Sequence, residues 1–320
     1  MSVGSGRGYG AAMTHPGVDV IAAQLSGSAL FGTTIAEQRE AMTRMAASSP
    51  PPAGVGVEPV SLGGRPAERL TPAGARPNGA VLYLHGGGYC IGGLDSHRDL
   101  AGRLAIATGY PVVTLDYRLA PEHPFPAALE DACAAYTELV AMGAGPHRLA
   151  IAGDSAGGGL TVATLLALRD SGVALPAAAA CLSPWVDLTQ SASAYDTVGE
   201  SDPMVTRTGL DLMASSYLGA TDPRTPLASP LWADDLGGLP PVRIDVGERE
   251  VLVDDASRLA ARLEGSGVPV SLTVWPGLIH VFQAFPASLI PEAGESVEAI
   301  GHFLATHLEA GAPTGSPTPA

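Results

Sequence analysis

The chain has 320 residues, 46% of them hydrophobic, and carries a formal net charge of −15 with a pI near 4.8. Nucleic acid and anionic membrane surfaces repel so acidic a protein, so we expect neither as a partner. All 17 basic residues are arginine, and the absence of lysine excludes a P-loop, a Schiff base and a Ser-Lys mechanism.

The chain shows no sign of membrane insertion or export. No apolar run approaches the roughly 18 residues that a spanning helix needs, and Met1–Gly10 is rich in Gly and Ser rather than apolar like a signal peptide. The odd set of cysteines, Cys90, Cys133 and Cys181, lies in apolar surroundings, which favours reduced thiols. We therefore expect a cytoplasmic protein that uses no metal and no cofactor.

Two weakly amphipathic stretches, Val18–Leu30 and Thr34–Ala47, precede a Pro-rich break at Ser49–Pro52. They predict helices that lie outside the main sheet. Two short alternating runs follow at Val57–Leu62 and Ala67–Thr71. Their alternation predicts an antiparallel hairpin at one edge of a sheet.

From residue 80 onward, short apolar runs alternate with longer segments of helical pattern. The predicted strands are Ala80–Leu84, Val112–Leu115, Arg148–Ala152, Ala178–Leu182, Val242–Val246 and Val270–Trp275. The predicted helices are Asp99–Thr108, Pro126–Met142, Thr161–Leu168, Leu252–Glu264 and Glu292–Leu308. Strands that alternate with helices predict a mostly parallel sheet with helices on both faces.

The alternation is interrupted between Leu182 and Leu239, where one helix is predicted around Thr208–Leu218. An insertion here lies above the carboxyl ends of the strands, where open α/β sheets bind their ligands. Together with the N-terminal helices it would form a cap. The predicted division is N-terminal cap helices (1–50), a first part of the core (51–184), a cap insertion (185–238), a second part of the core (239–310) and a disordered tail (311–320).

The strand ending at Ala152 runs into Gly153-Asp154-Ser155-Ala156-Gly157, a G-x-S-x-G sequence that continues into a helix. This pattern is typical of a nucleophile elbow, a sharp turn that exposes a serine hydroxyl above the sheet. Gly153 and Gly157 are expected where a Cβ would collide with the neighbouring strand or helix. The alternative is a Gly-rich turn with a capping serine. We take Ser155 as the candidate nucleophile.

Three glycines in succession follow the strand Ala80–Leu84, in His85-Gly86-Gly87-Gly88. Without side chains, the backbone N–H groups of such a loop can converge on one point. Two of them, together with the N–H of Ala156, would form an oxyanion hole. The alternative is a flexible turn with a capping histidine.

The candidate base is His280, which follows the strand Val270–Trp275 and so lies at the carboxyl edge of the sheet. It is the one histidine that both follows Ser155 in the chain and falls at this edge. The other histidines are expected in loops, on the last helix or in the N-terminal arm.

The candidate acid lies in the turn after the strand Val242–Val246. Asp254 and Asp255 begin a helix, where carboxylates cap the helix and favour its dipole. Glu250 lies in the turn itself and is the better partner for His280. A serine with a base, an acid that orients the base and oxyanion donors is the constellation of a serine hydrolase.

With these motifs the sequence closely resembles the bacterial hormone-sensitive-lipase family of α/β hydrolases. The resemblance extends from Ala80 to Phe285 and includes Asp116–Ala128, Ser183–Leu188 and Asp202–Met204. It implies a serine carboxylesterase of the α/β-hydrolase fold, with an eight-stranded, mostly parallel sheet and a helical cap. It also implies that His85 and Gly86 shape the loop while the oxyanion donors are Gly87, Gly88 and Ala156.

The acid turn departs from the commonest pattern of that family. Many members carry Asp-Pro-Leu-x-Asp where this chain has Glu250-Val251-Leu252-Val253-Asp254. Glu250 thus stands at the acid position, as in a branch that resembles esterases and lactone hydrolases.

The sequence therefore predicts two-step acyl transfer from a small uncharged ester or lactone with a short to medium acyl chain. The alternatives are a lactone hydrolase or an amidase with the same triad and, less favoured because His280 is present, a non-catalytic ligand-binding protein. A homodimer is a further expectation. The candidate pocket residues are Tyr89, Met204, Leu210, Phe282 and Phe285.

Overall fold

The computed structural model describes residues 15–25, 34–46, 50–198 and 202–310. Within these residues, eight strands form one sheet in the order β1-β2-β4-β3-β5-β6-β7-β8. Their bounds are β1 (Val55–Leu62), β2 (Arg65–Pro72), β3 (Ala80–Leu84), β4 (Val112–Leu115), β5 (Leu149–Asp154), β6 (Ala178–Leu182), β7 (Val242–Gly247) and β8 (Val270–Trp275). The predicted eight-stranded sheet of an α/β-hydrolase fold is confirmed.

The pairing of the strands brings the carboxyl ends of β3 and β5 to β8 to one edge. β1 pairs with β2 and β2 with β4 in antiparallel fashion, whereas all other pairs are parallel. Leu84 is paired with Gly153, so the residues after β3 lie beside the residues after β5. Likewise Asp154 is paired with Leu182. The predicted edge hairpin and the mostly parallel sheet are both observed.

Helices cover both faces of the sheet. Their bounds are α1 (Pro16–Leu25), α2 (Ile35–Ala46), α3 (Leu94–Thr108), α4 (Ala127–Ala141), α5 (Ala156–Asp170), α6 (Ala194–Thr197), α7 (Arg207–Leu218), α8 (Val253–Gly265) and α9 (Pro291–Ala310). Among the described residues, no helix combines the length and the apolar character needed to cross a membrane.

Helices α3 and α5 each begin five residues before the predicted start, and α5 begins at Ala156 rather than at Thr161. Helix α3 begins at Leu94 rather than at Asp99 because its first turn is polar, and apolar periodicity alone does not reveal it. The Ser96 hydroxyl accepts a 3.0 Å hydrogen bond from the N–H of Gly93 and so caps this turn. The short helix α6 was not predicted, and the residues 26–30 of the first predicted helix lie outside the described residues, as does the tail at 311–320.

The alternation of side chains along β3 shows how the core is divided. Val81 and Tyr83 point to the face covered by α3 and α9. Leu82 and Leu84 point to the opposite face, which is covered by α4, α5 and α8. All four side chains are buried, as expected for a central strand of a parallel sheet.

The N-terminal helices and the 185–238 segment contact the carboxyl edge of the sheet. Val18 and Ile21 of α1 pack in one cluster with Leu278 and Ile279, the two residues before His280. Helix α7 reaches the glycine loop, where Tyr217 stacks on Tyr89 with ring centroids 3.8 Å apart. These contacts bring the two segments to the loop of His280 and to the glycine loop, while the predicted cap and domain boundaries remain predictions.

Candidate active site

Ser155 occupies the turn between β5 and α5, with φ 53° and ψ −121°. A non-glycine residue with positive φ is strained and persists only where its surroundings hold it. Here the Ser155 N–H donates to the carbonyl of Leu182 at 2.8 Å, and the N–H of Trp185 donates to the Ser155 carbonyl at 2.9 Å. The turn after β6 therefore clamps the backbone of this serine.

The two glycines of the G-x-S-x-G sequence leave no room for side chains. A Cβ on Gly157 would meet the carbonyl oxygens of Leu84 and His85, the latter at 2.6 Å. A Cβ on Gly153 would meet the carbonyl of Gly157, and that of Leu84 at 2.6 Å. Because these neighbours are backbone atoms of β3 and α5, they cannot move aside without disturbing the sheet.

A chain of hydrogen bonds joins Ser155, His280 and Glu250. His280 Nε2 lies 3.0 Å from Ser155 Oγ, and His280 Nδ1 lies 3.1 Å from Glu250 Oε1. Because the carboxylate can only accept, Nδ1 carries the proton, and Nε2 is left free to accept the proton of the serine. The three side chains come from loops after β5, β7 and β8 and meet at one edge of the sheet.

The charge of Glu250 acts directly on His280. Burial disfavours the imidazolium and by itself lowers the pKa of His280. The carboxylate of Glu250, with a smaller contribution from Asp202, outweighs burial, so the pKa of His280 lies above its ordinary value. The arrangement thus stabilises the imidazolium that forms when the serine is deprotonated.

Glu250 is fully buried, with 0% of its surface exposed. Its second oxygen, Oε2, accepts hydrogen bonds from the Gly247 N–H at 2.9 Å and from the Ser183 hydroxyl at 2.7 Å. The neighbouring carboxylates serve other segments. Asp254 accepts a hydrogen bond from the N–H of Ala194, and Asp255 accepts one from the N–H of Val186.

The glycine loop after β3 lies next to the turn of Ser155, because Leu84 is paired with Gly153. Gly87 and Gly88 adopt φ values of 114° and 58°, a conformation that favours glycine. No described residue accepts a hydrogen bond from the N–H of Gly87, Gly88 or Ala156. The N–H of Gly86 is already used, since it donates to Asp154 Oδ1 at 3.0 Å. The three N–H groups that the resemblance implies as oxyanion donors are therefore not engaged by other described residues.

A second buried acid–histidine pair, Asp154 and His97, lies next to the glycine loop and was not predicted from the sequence. Asp154 Oδ2 lies 3.4 Å from Nε2 of His97, and its Oδ1 also accepts from the Tyr83 hydroxyl at 2.7 Å. Burial disfavours the charged form of both groups, but the attraction between the two charges outweighs this effect. The pKa of His97 is therefore raised and that of Asp154 is lowered. The one sign of this pair in the sequence is Asp154 itself, because an aspartate at the end of an apolar strand needs a polar partner.

The side chain of His85 contacts its own loop, since its Nδ1 lies 2.7 Å from the carbonyl oxygen of Gly86. Its ring stacks on Tyr117 with centroids 4.2 Å apart, and the Tyr117 hydroxyl donates to the His85 carbonyl at 2.7 Å. Burial lowers the pKa of His85 to about 3, so the ring is neutral. These contacts agree with a role in holding the loop in shape.

The candidate pocket residues fall into two groups. Phe282 is buried in the α1 cluster, against which Met204 and Phe285 also pack. Tyr89 and Leu210 belong instead to the main core cluster. The lining of the pocket by these five side chains stays a prediction.

Helix α7 packs against the glycine loop, a contact that was not predicted from the sequence. A Cβ on Gly88 would meet the sulfur of Met213, so this methionine covers the glycine loop. Cys90 Sγ also lies 3.7 Å from the Met213 carbonyl. The sequence predicted a helix around Thr208–Leu218 but not which structure its inner face would meet.

Asp202 brings a further buried carboxylate to the acid turn. Its Oδ2 accepts from the N–H of Val251 at 3.1 Å, next to Glu250, and its Oδ1 accepts from Met204 and Val205. Burial is the largest effect on this group and raises the pKa of Asp202 to about 6. A residue of the 185–238 segment thus holds the turn that carries the candidate acid.

Comparison with known proteins places this geometry in a family. Residues 81–284 match the family described as alpha/beta hydrolase fold. The chain is 46% identical to an acetyl-hydrolase of Streptomyces hygroscopicus, over 79% of this chain and 84% of that protein. It is 34% identical to an esterase of Acinetobacter venetianus, over 80% of this chain and 83% of that protein.

A solved structure of an esterase from the bacterial hormone-sensitive lipase family is 43% identical and superposes with a TM-score of 0.88. The match covers 92% of this chain and 99% of that one. The chain therefore belongs to the α/β-hydrolase family, within the group of bacterial hormone-sensitive-lipase esterases that its motifs resemble.

Proposed function

We propose that this protein is a serine carboxylesterase that hydrolyses small, uncharged esters with short to medium acyl chains. The observation that carries the proposal is the continuous hydrogen-bond chain from Ser155 Oγ through His280 to Glu250, at 3.0 Å and 3.1 Å. The similarity to proteins named acetyl-hydrolase and esterase supports it.

In the first step, Ser155 Oγ attacks the ester carbonyl while His280 Nε2 takes its proton. The negative charge that develops on the carbonyl oxygen is stabilised by the N–H groups of Gly87, Gly88 and Ala156. His280 then gives the proton to the departing alcohol, which leaves the acyl group on Ser155.

In the second step, water repeats the attack. His280 takes a proton from the water molecule, the same N–H groups stabilise the second oxyanion, and the acid is released as Ser155 recovers its proton. Glu250 keeps the proton of the imidazole on Nδ1 throughout, so that Nε2 faces the reacting atoms in both steps.

Pre-steady-state kinetics with a p-nitrophenyl ester test the mechanism. We expect a burst of p-nitrophenol equal to the concentration of active sites, and we expect Ser155→Ala to abolish it. A protein that bound the ester without releasing p-nitrophenol would contradict the proposal and favour the ligand-binding alternative.

A series of p-nitrophenyl esters from acetate to palmitate tests the substrate class. Each methylene contributes about 0.8 kcal/mol of binding only while the pocket has room for it. We therefore expect kcat/KM to peak at short to medium chains and to collapse at palmitate. Efficient hydrolysis of emulsified long-chain triglyceride, with activation at the interface, would contradict this.

The same triad can open a lactone, because the ring ester presents the same carbonyl to Ser155. We propose lactones as a second substrate class, supported by glutamate at the acid position as in the lactone-hydrolase branch that the sequence resembles. Release of acid from a γ-lactone, followed by pH-stat, measures this activity. Its absence in an enzyme that is active on esters would rule out the lactone class alone.

Two further proposals concern the state of the protein. β8 lies at one end of the sheet, and its side chains Leu272 and Val274 are exposed, which supports a homodimer through this edge. Light scattering should then give twice the chain mass, and Leu272→Arg should halve it, whereas Ile106→Arg on exposed α3 should not. A wild-type protein that scatters as a single chain would contradict the dimer.

The second of these proposals is that the protein acts in the cytoplasm. Its three cysteines are free thiols, two of them buried, which suits a reducing compartment. Fractionation of the producing cell tests this, and recovery of the protein from the medium would contradict it.

A further inference from the structure

One turn of the chain contacts Ser155, Glu250 and the residue that follows His280. This turn, 182–185, begins at the last residue of β6. Its Leu182 and Trp185 bond to the backbone of Ser155, as described above. Its Ser183 donates a hydrogen bond to Glu250 Oε2 at 2.7 Å and accepts one at 3.0 Å from the N–H of Val281, the residue after His280.

We propose that Ser183 is a positioning residue for the reaction, whose single hydroxyl fixes the carboxylate of Glu250 and the loop of His280 relative to each other. The proposal rests on the proposed function, since it needs Glu250 to act as the acid. It goes beyond the triad and the oxyanion donors because Ser183 lies 28 residues after Ser155 in the chain and touches neither substrate nor the reacting atoms.

The direction of both hydrogen bonds follows from the groups involved. The Val281 N–H can only donate, so the Ser183 oxygen must accept from it. The hydroxyl proton of Ser183 is then free for the carboxylate, which can only accept. Ser183 therefore holds Oε2 of Glu250 away from the imidazole and leaves Oε1 facing Nδ1 of His280.

The backbone on both sides of this contact is strained. Ser183 has a φ of 47° and Val281 a φ of 44°, and the left-handed conformation is particularly unfavourable for the β-branched valine. The Ser183 N–H is anchored to the Asp245 carbonyl of β7 at 2.8 Å. Such strain persists only where surrounding bonds over-determine the conformation, and it is concentrated at functional sites.

Other buried hydroxyls of the chain behave differently. Thr161 and Thr164 bond to carbonyls four residues earlier in α5, which satisfies the hydroxyl locally. Ser229 is as fully buried as Ser183, and its Oγ accepts from the N–H of Leu188 at 2.9 Å, near the same turn. Because Ser229 bonds to none of the triad residues, it provides a matched control for the loss of one buried hydroxyl.

Ser183→Ala removes the donor to Oε2 and leaves the N–H of Val281 without a partner. We expect kcat to fall about 10- to 100-fold, the range that corresponds to one hydrogen bond to a charged group. KM should change little, since Ser183 is fully buried and cannot touch substrate. The acid limb of the kcat/KM profile should move to lower pH, because the carboxylate that raises the pKa of His280 is no longer held in place.

Three more variants separate positioning from folding. Ser183→Gly also lacks the hydroxyl but tolerates the positive φ, so it should fold and show the same kinetic changes. Ser183→Cys offers a weak donor and should fall between wild type and Ser183→Ala. Ser229→Ala should lower the melting temperature while it keeps the wild-type kcat and pH profile.

The outcomes distinguish this proposal from the proposed function. A folded Ser183→Gly variant with wild-type kcat and an unmoved acid limb would overturn the positioning role, while wild type still showed its burst. A raised KM with no shift in the acid limb of the kcat/KM profile would also overturn the positioning role, since that result points to altered substrate binding. A wild-type protein that bound the ester without releasing p-nitrophenol would instead overturn the proposed function itself.

Discussion

Glu250 Oε1 lies 3.1 Å from His280 Nδ1, and this contact distinguishes the acid turn from the helix that follows it. Asp254, four residues later, faces away and accepts hydrogen bonds from Ser193 Oγ and the Ala194 N–H at 3.0 Å and 2.9 Å. Two carboxylates in one short segment therefore serve different parts of the molecule, one the imidazole and the other the start of α6.

This difference gives a direct test of the acid. We expect Glu250→Gln to lower kcat by roughly 10³- to 10⁴-fold with the fold intact, because an amide favours the wrong tautomer of His280. Asp254→Asn is the matched control and should change kcat less than about 3-fold, since the bonds of Asp254 to Ser193 and Ala194 hold the start of α6 rather than His280. Steady-state kinetics and circular dichroism on both variants measure this, and reversed effects would show that Asp254 is the acid.

The dependence of activity on pH should report the charges around His280. The base works only when neutral, and its pKa is raised above the ordinary value of 6.5, so kcat/KM should decline as the pH falls through a midpoint above 6.5. The pKa of Asp202 is raised by burial to about 6, so this carboxylate is charged above that pH and adds to the effect.

Removal of the Asp202 charge should move the midpoint of the acid limb of kcat/KM. We expect Asp202→Asn to lower the pKa of His280, and thus to shift the acid limb down by up to about one pH unit. Asp211→Asn, whose carboxylate bonds to Gln190 in the same segment, is the control and should leave the limb in place. A limb that moved upward in Asp202→Asn would contradict the electrostatic argument.

Asp255 should make stability depend on pH in the direction opposite to most carboxylates. Burial and the nearby charge of Asp187 raise the pKa of Asp255 from 3.8 to about 8. Between these two values the folded chain keeps a proton that the unfolded chain releases. The free energy of unfolding therefore decreases as the pH rises, by at most about 1.4 kcal/mol per pH unit from this group.

An amide at this position does not titrate and can replace the protonated acid. It can still accept from the N–H groups of Val186 and Asp187 and donate to the Tyr195 hydroxyl. We expect Asp255→Asn to gain melting temperature relative to wild type as the pH rises toward 8, and the difference to level off above 8. A difference that does not change between pH 5 and pH 8 would contradict the raised pKa of Asp255.

The elbow should not tolerate a single added methyl group. A Cβ on Gly157 meets two backbone carbonyls, so Gly157→Ala should lower the free energy of unfolding by about 2–3 kcal/mol and abolish activity. Gly265→Ala is the control because no atom lies within 4 Å of its Cβ position at the exposed end of α8. That variant should be neutral or more stable by up to about 1 kcal/mol, and urea titration measures both.

Much of the fold could be predicted from local patterns. The strands Ala80–Leu84, Val112–Leu115, Ala178–Leu182 and Val270–Trp275 were predicted with the bounds that the structure shows, because a short apolar run between polar turns is a local property. The start of α3 was wrong because its first turn is polar and its cap depends on Ser96.

Ser155, His280 and Glu250 could be proposed from sequence because each follows a predicted strand, and parallel strands deliver such residues to one edge. The motifs and the order of the strands were together sufficient to propose these three residues. Their distances, the tautomer of His280 and the free N–H groups of the glycine loop required the structure, since they depend on the register between strands.

The partners of the site are what only the tertiary structure decided. His97 lies in no motif, and the motifs that contain Ser183 and Asp202 do not by themselves give these residues a role in the site. The three nevertheless bond to Asp154, Glu250 and Val251 from positions 57, 67 and 49 residues away. A polar side chain in a buried place needs a partner, and which partner it finds depends on packing between distant segments. The sequence by itself determined the fold class and the candidate triad, whereas the network of hydrogen bonds that holds those residues in position arises only from the folded chain.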